Sequence, residues 1–356
     1  MSETAATYLD ELKTDYDRVK QDAEFSAQLD EFLCDYLGQP TPLFFAKRFA
    51  ERLKGAKIYL KREDLNYTGS FRARGVAGQA LLAKKLGRRE IVVESASGEQ
   101  AIAAASVARH LGLRVRIYAN NIFAAPLLAR LKVLGAEIFY KENYQYQDLV
   151  NACFLDWLAA PLERYYIPAW PLGPHPLPEI TRDFQSFSGL EIFRELSRRE
   201  KQPPAALLAD SALALGVFYP FINTETELVV VEPAFGAADL TPLADGKPAV
   251  FQGAYTKVLR LENGQAGVYA SPCADLNYPA APPELAYLHS AGRLVLRKAL
   301  PEEMQSAAQL LLETEGLTAS PQSLSTLAEL LRRAPALDRG QALVGVLSGK
   351  NLEFGV

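Results

Sequence analysis

The chain has 356 residues, of which 49% are hydrophobic, 22% charged and 10% aromatic, a soluble globular composition in a chain too long for one hydrophobic core. The formal net charge is −4 with acids and bases interspersed, which excludes the basic face that nucleic-acid binding needs. No apolar run reaches the ~18 residues of a bilayer span and the first residues are acidic, so no membrane segment or signal is read and a cytoplasmic protein is expected. Cys34, Cys153 and Cys273 are few, far apart and without neighbouring histidines, so neither a disulfide framework nor a metal site is expected.

Residues 1–37 carry a helical pattern, with Leu9, Leu12, Tyr16 and Val19 on one face, continued by Phe25, Leu29, Phe32, Leu33 and Tyr36. Gly38 and the prolines after it end this arm. Beyond it, β-rich runs at 57–63, 90–96, 114–120, 136–142, 164–170, 206–212, 227–233 and 342–349 alternate with amphipathic segments. Three of those segments, RARGVAGQALLAKKLG, EQAIAAASVARHLG and APLLARLKVLG, end in glycine as helices do. Alternating apolar strands and helices predict an α/β fold with parallel sheets covered on both faces. The Pro-, Ala- and Gly-rich stretch 240–283 has weak periodicity and reads as a long connection across one face.

Ligands of open α/β sheets bind outside the carboxyl ends of strands, where helix N-termini expose N–H groups. Three segments place small residues at such a junction. In Asn66 to Arg72, Thr68 or Ser70 caps the next helix and Arg72 falls in its first turn, either solvated or facing a ligand. In Glu94 to Gln100, a strand-end carboxylate precedes Ser95, Ser97 and Gly98, which form either a tight turn or an anion-binding loop. The third, Ala209 to Gly216, holds Asp210 and Ser211 but a single glycine, a poor phosphate cradle.

These residues resemble the tryptophan synthase β chains among the fold-type II pyridoxal-phosphate enzymes. The likeness runs from about Asp10 to Leu352 and is carried by GQPTPLFFAKRFAERLKGAKIYLKREDLN, GQALLAKKLGRREIVVESASG, GPHPLPEITRDFQSFSG and ADLNYPAAPPELAYLHSAGR. TGSFRARG and SASGEQA are similar to the serine/threonine dehydratase versions of the same two loops. The resemblance implies two interleaved three-layer α/β domains with a cleft between them. It divides the chain into an arm at 1–37, one domain at 38–70 plus 190–356, and another at 71–189 with a smaller subdomain at about 87–170.

It also implies functional positions. Glu94 matches the family's catalytic acid/base, and Ser95, Ser97, Gly98 and Gln100 match the loop that holds the substrate carboxylate. Ser348 matches the group facing the pyridine nitrogen, and Asp210 and Ser211 fall in the phosphate loop. Arg72 stands where the family carries the imine-forming lysine, and a guanidinium has no free amine lone pair to form that imine. Asp210 would repel a phosphate, Glu99 would oppose an anion, Asn277 replaces a closing-loop aspartate and Gln322 a glutamate.

From these departures the expectation is a protein without a cofactor, with Arg72 and Asp210 paired in the vacated pocket. Three readings are carried forward: a pseudoenzyme or binding protein, an enzyme reusing the cleft with Glu94 as acid/base and Arg72 as anion anchor, and a pyridoxal-phosphate lyase without the internal imine. The expected partners are a small anionic metabolite in the cleft, a second copy in a homodimer and a tryptophan synthase α-like chain. His175, between prolines, is read as fixing its loop rather than as catalytic.

Overall fold

Apolar runs and glycine-stopped helices build two separate sheets. The computed structural model describes residues 3–234, 240–267 and 274–350. Its strands are β1 (Leu43–Phe45), β2 (Lys57–Arg62), β3 (Glu90–Glu94), β4 (Arg114–Ala119), β5 (Glu137–Tyr140), β6 (Arg164–Tyr166), β7 (Ala206–Ala209), β8 (Glu227–Pro233), β9 (Lys247–Phe251), β10 (Ala254–Val258), β11 (Leu294–Ala299) and β12 (Ala342–Leu347). The larger sheet has the order β1-β2-β12-β7-β8-β11, parallel except for the antiparallel edge pair β1–β2. The smaller is wholly parallel in the order β5-β4-β3-β6.

The α/β expectation holds, and the reason is legible in β3. All five of its residues are buried, as a strand covered on both faces requires, and Ile91, Val92 and Val93 each contribute roughly 1.5–3 kcal/mol of burial. The expected helix stops are real: Gly87, Gly112 and Gly135 take φ of 76°, 73° and 81°, conformations that favour glycine. The N-terminal arm forms helices Glu3–Lys20 and Ala23–Glu31, whose apolar stripe joins the core of the smaller sheet. Tyr16 donates to Asp183 at 2.7 Å and Tyr36 to the Ser106 carbonyl at 2.9 Å, tying the arm down.

Two sequence readings need correction. The stretch 240–283 is not simply a connection: Lys247–Phe251 and Ala254–Val258 pair as an antiparallel hairpin around Gln252 and Gly253, both with positive φ. Several strands also stop earlier than their apolar runs. β3 ends at Glu94 and β6 at Tyr166, because the chain turns there into the loops that meet between the sheets.

Helix Arg72–Lys85 is buried from Arg72 to Ala83, an unusual length for a helix that begins with Arg-Ala-Arg. It packs beside helices Glu99–Leu111 and Leu177–Arg199. Gly78 permits the second approach, since a Cβ there would lie 2.2 Å from Phe184 Cδ1.

Candidate active site at the junction of the sheets

The first segment is organised by Asn66. Its Oδ1 accepts the N–H groups of Thr68 and Gly69 at 3.0 Å each, and its Nδ2 donates to the carbonyls of Glu63 and Ser70 at 2.8 and 2.6 Å. The Phe71 N–H then donates to the Ser348 carbonyl at 2.8 Å, docking the turn on the end of β12. Neither Thr68 nor Ser70 occupies the cap position; Phe71 does, with no side-chain cap bond, and Arg72 is the first helical residue.

Arg72 is 1% exposed, which rules out the solvated alternative. Its Nη1 donates to the Ala169 carbonyl at 3.0 Å. Nη2 lies 3.2 Å from Asp275 Oδ2 and Nε 3.7 Å from Glu99 Oε2, ion-pair contacts that fall outside hydrogen-bond geometry. Burial works against this charge, but Asp275 and Glu99 outweigh it and move the Arg72 pKa upward. The expected pair with Asp210 is not made: the ion pairs of Arg72 among the described residues are to Glu99 and Asp275. Asp210 instead accepts the Ala212 N–H at 2.9 Å and caps helix Ser211–Phe218, a partner available within its own turn.

The helix bearing Arg72 is held by a second buried arginine. Arg74 Nε and Nη2 donate to the two oxygens of Glu63, both at 2.9 Å, while Nη1 and Nη2 reach Glu191 at 2.7 and 2.8 Å. Thr41 and Ser188 hydroxyls complete the shell of Glu63 at 2.9 and 2.7 Å.

In the second segment, Glu94 is fully buried at the end of β3. Its Oε1 accepts the Ala169 N–H at 2.9 Å with the Tyr146 hydroxyl 3.5 Å away, and its Oε2 has no hydrogen-bond partner among the described residues. Burial pushes its pKa up to about 7. The loop after it divides. Ser95 Oγ accepts the N–H groups of Gly98 and Ala101 at 3.1 and 3.2 Å, so it shapes the turn, and Gln100 turns to the Ile167 carbonyl at 3.4 Å. Gly98 has φ 92°, and a Cβ there would lie 2.3 Å from Leu127 Cδ2.

The Ser97 side chain and the backbone of Ala96 and Ser97 are engaged by a residue remote in sequence. Asp275 Oδ1 accepts the Ala96 and Ser97 N–H groups at 3.2 and 2.9 Å, and its Oδ2 accepts the Ser97 hydroxyl. Glu99 turns back to accept the Ser70 hydroxyl at 2.6 Å, and burial pushes its pKa up to about 7. Asp275 is the residue that the sequence reading missed. Its signal is the single charge in the stretch ADLNYPAAPP.

On the side of the larger sheet, Ser348 Oγ lies 3.1 Å from Ser323 Oγ and 3.5 Å from Ser320 Oγ. Gln322 is buried with its Oε1 unpartnered among the described residues. Burial pushes Asp210 up to about 6 and Glu232 up to about 7. Beside Ser211 and Glu232, a cavity of about 10 Å³ is lined also by Trp170, Leu276 and Tyr278, room for one water. His175 lies outside the junction, exposed and 3.7 Å from Glu179. Cys153 is buried, Cys34 is exposed, and Cys273 lies outside the described residues, among which no group of side chains suits a metal.

The donor set can be set against pyridoxal phosphate. A hydroxyl at Ser348 suits a pyridine nitrogen. Arg72 supplies a guanidinium that is charged and engaged, not an amine, and Asp210 places a carboxylate on the N–H group that a phosphate would use. At those two positions the residues do not fit an imine-linked, phosphate-cradled cofactor.

The comparisons with known proteins bear on the same question. Residues 35–349 match the family described as "Pyridoxal-phosphate dependent enzyme". The tryptophan synthase beta chain of Bacillus subtilis (strain 168) is 37% identical over 361 residues, covering 98% of this chain and 90% of that protein. That of Afipia carboxidovorans is 35% identical, covering 98% and 89%. Among solved structures, a fungal L-serine ammonia-lyase from Rhizomucor miehei superposes with a TM-score of 0.66 at 19% identity, covering 87% of this chain and 93% of that one, a likeness of fold. These matches bear out the resemblance read from the sequence. They overturn the expectation of a cofactor-free chain, because the matching family is pyridoxal-phosphate dependent, and that cofactor is the one to test.

Proposed function

The chain belongs to the pyridoxal-phosphate dependent enzyme family, and from that premise we propose a lyase-related enzyme of the tryptophan synthase β type, acting on a small carboxylate-bearing substrate at the junction of the sheets. Glu94 is its proton carrier and Arg72 its anion anchor. The observation that carries this reading is Glu94 itself: fully buried, with one oxygen fixed by the Ala169 N–H and the other outside hydrogen-bond geometry among the described residues, with the Tyr166 hydroxyl beside the carboxyl. A carboxyl pushed to about 7 in such a place exchanges a proton at neutral pH, as a general acid/base must. Arg72 stays charged and presents a fork suited to carboxylates. It supplies no amine, so any pyridoxal phosphate taken up is held without a covalent link at residue 72.

The test is turnover of L-serine and L-threonine to ammonia, and formation of tryptophan, by the full chain with and without added pyridoxal phosphate. Glu94→Gln is expected to abolish whatever activity is found. Unchanged turnover in that variant removes Glu94 from the mechanism.

A second reading, a binding protein without turnover, is favoured by the carboxylate of Asp275 on the loop N–H groups. On the same footing a homodimer and an α-chain-like partner are proposed, to be read by sedimentation of the chain alone and mixed with a tryptophan synthase α chain. The larger sheet draws on 43–62 and 206–347 and the smaller on 90–166, which supports the division into 38–70 plus 190–356 and 71–189 with a subdomain at about 87–170. No helix among the described residues is long and apolar enough to cross a membrane.

A further inference from the structure

Asp275 belongs to the stretch Ala274–Leu276, remote in sequence from both loops that it touches. It is 1% exposed, and each of its oxygens has a defined role. Oδ1 accepts the Ala96 and Ser97 N–H groups at 3.2 and 2.9 Å; Oδ2 accepts the Ser97 hydroxyl and lies 3.2 Å from Arg72 Nη2. Two converging N–H groups, a hydroxyl and a guanidinium form the usual receptor for a small carboxylate.

We infer that Asp275 is an internal ligand of a carboxylate site made by Ala96, Ser97 and Arg72, so that an external carboxylate binds there only by displacing it. This rests on the reading that the junction takes a carboxylate-bearing ligand. It adds that the chain carries its own competitor, which sets the specificity of the site. Glu99 reinforces the selection. Its carboxyl lies 3.7 Å from Arg72 Nε and occupies that side of the guanidinium, so a second anion entering beside the first finds the place taken. With Asp275 seated, the loop N–H groups and the arginine face are spoken for, and the site accepts a monocarboxylate in exchange rather than in addition.

Truncation of Asp275 tests this directly. Asp275→Ala keeps Cβ and removes a group the size of formate, so the probe is sodium formate, with sodium chloride at equal ionic strength as the control. Thermal melts of the full-length variant are expected to rise saturably with formate by roughly 2–5 °C above the chloride control, while the wild-type chain shows no such difference. Asp275→Asn, which refills the space without the charge, is expected to show no formate response. Equal responses to formate and chloride in Asp275→Ala overturn the proposal, as does a wild-type response as large as the variant's. Should Asp275→Ala not fold in buffer, refolding yield in formate against chloride gives the answer: formate-dependent recovery supports the site and equal yield overturns it. The readout needs no turnover. An inactive wild-type chain with formate rescue in the variant would count against the enzyme reading alone, and active protein without rescue against the internal ligand alone.

Discussion

Arg72 and Asp275 meet at the junction of the two sheets, guanidinium Nη2 to carboxylate Oδ2 at 3.2 Å, with both side chains excluded from solvent. Their 203-residue separation in sequence makes the contact long-range. A buried pair need not add net stability, but removing one member leaves the other charge without compensation. Arg72→Ala is expected to cost roughly 3–5 kcal/mol in urea unfolding, and Asp275→Ala a comparable amount. The double variant should cost less than the sum, by a coupling of about 1–3 kcal/mol. Additive losses would mean that the two charges are independently satisfied.

Glu94, Glu99 and Glu232 are each pushed up to about 7 by burial, from an ordinary value of 4.5. A carboxyl whose folded pKa exceeds its unfolded one binds its proton more tightly in the fold. Its stabilising contribution is complete below the unfolded value and is lost as pH rises through the folded value. Stability from these three carboxyls is therefore expected to fall between about pH 4.5 and 7. Glu94→Gln imitates the protonated carboxyl, so it should flatten the slope and gain about 1–3 kcal/mol over wild type at about pH 8. Urea midpoints across that range give the slope, and an unaltered slope would show that Glu94 ionises as readily in the fold as outside it.

How much of this was legible follows physical lines. β8 runs from Glu227 to Pro233, the bounds read from the sequence, because ELVVVEP is an apolar run closed by a proline. The hairpin at 247–258 was not legible, since Pro248 and the Gln252-Gly253 turn break any alternation that the eye could follow. Burial of Arg72 came from resemblance and not from pattern, which allowed a solvated residue equally well. The pairing with Asp210 rests on resemblance alone, which maps both residues to the cofactor pocket, and it fails. A capping aspartate is satisfied by the backbone two residues on, whereas Asp275 reaches Arg72 only after the whole chain has folded. Local chemistry is written locally, and a long-range pairing leaves no periodicity.

Arg74 offers a contrasting case, a charge whose partners are complete. Burial works against ionised Glu63, but Arg74 and Lys61 outweigh it and hold its pKa at about 2. A depressed carboxyl contributes stability above its unfolded value of 4.5 and loses it as pH falls toward 2. Arg74→Ala leaves Lys61 to compensate both Glu63 and Glu191, at an expected cost of about 3–5 kcal/mol at about pH 7. Because Glu63 then keeps its proton to higher pH, the variant should recover part of that loss on acidification from about pH 7 to about 5, where wild type does not gain through Glu63. Arg74→Lys should rescue poorly, since one ammonium cannot donate in parallel to both carboxylates.

The helix that Asp210 caps packs closely on helix Leu177–Arg199. Gly216 in helix Ser211–Phe218 faces helix Leu177–Arg199, where a Cβ would lie 2.4 Å from Gln185 Cβ and 3.0 Å from its carbonyl carbon. Gly189 answers from the other helix, with a Cβ 2.3 Å from the Val217 carbonyl oxygen. Backbone cannot swing aside as a side-chain tip can, so the two helices must separate to admit a methyl group. Gly216→Ala is therefore expected to cost about 1–3 kcal/mol of unfolding free energy, even though it improves helix propensity. Gly87→Asn is the control: φ there is 76° with open space around it, and asparagine tolerates that conformation, so its cost should be smaller. The separation would also displace Asp210 and Ser211 at the helix start, moving them relative to Ser348. Formate binding by the Asp275→Ala background should survive the Gly216→Ala change, because Ala96 and Ser97 follow β3, and the helix of Arg72 is held by helix Glu99–Leu111 and by the Arg74–Glu63 pair as well as by helix Leu177–Arg199. Loss of both together would show that the carboxylate site depends on the packing of this helix pair.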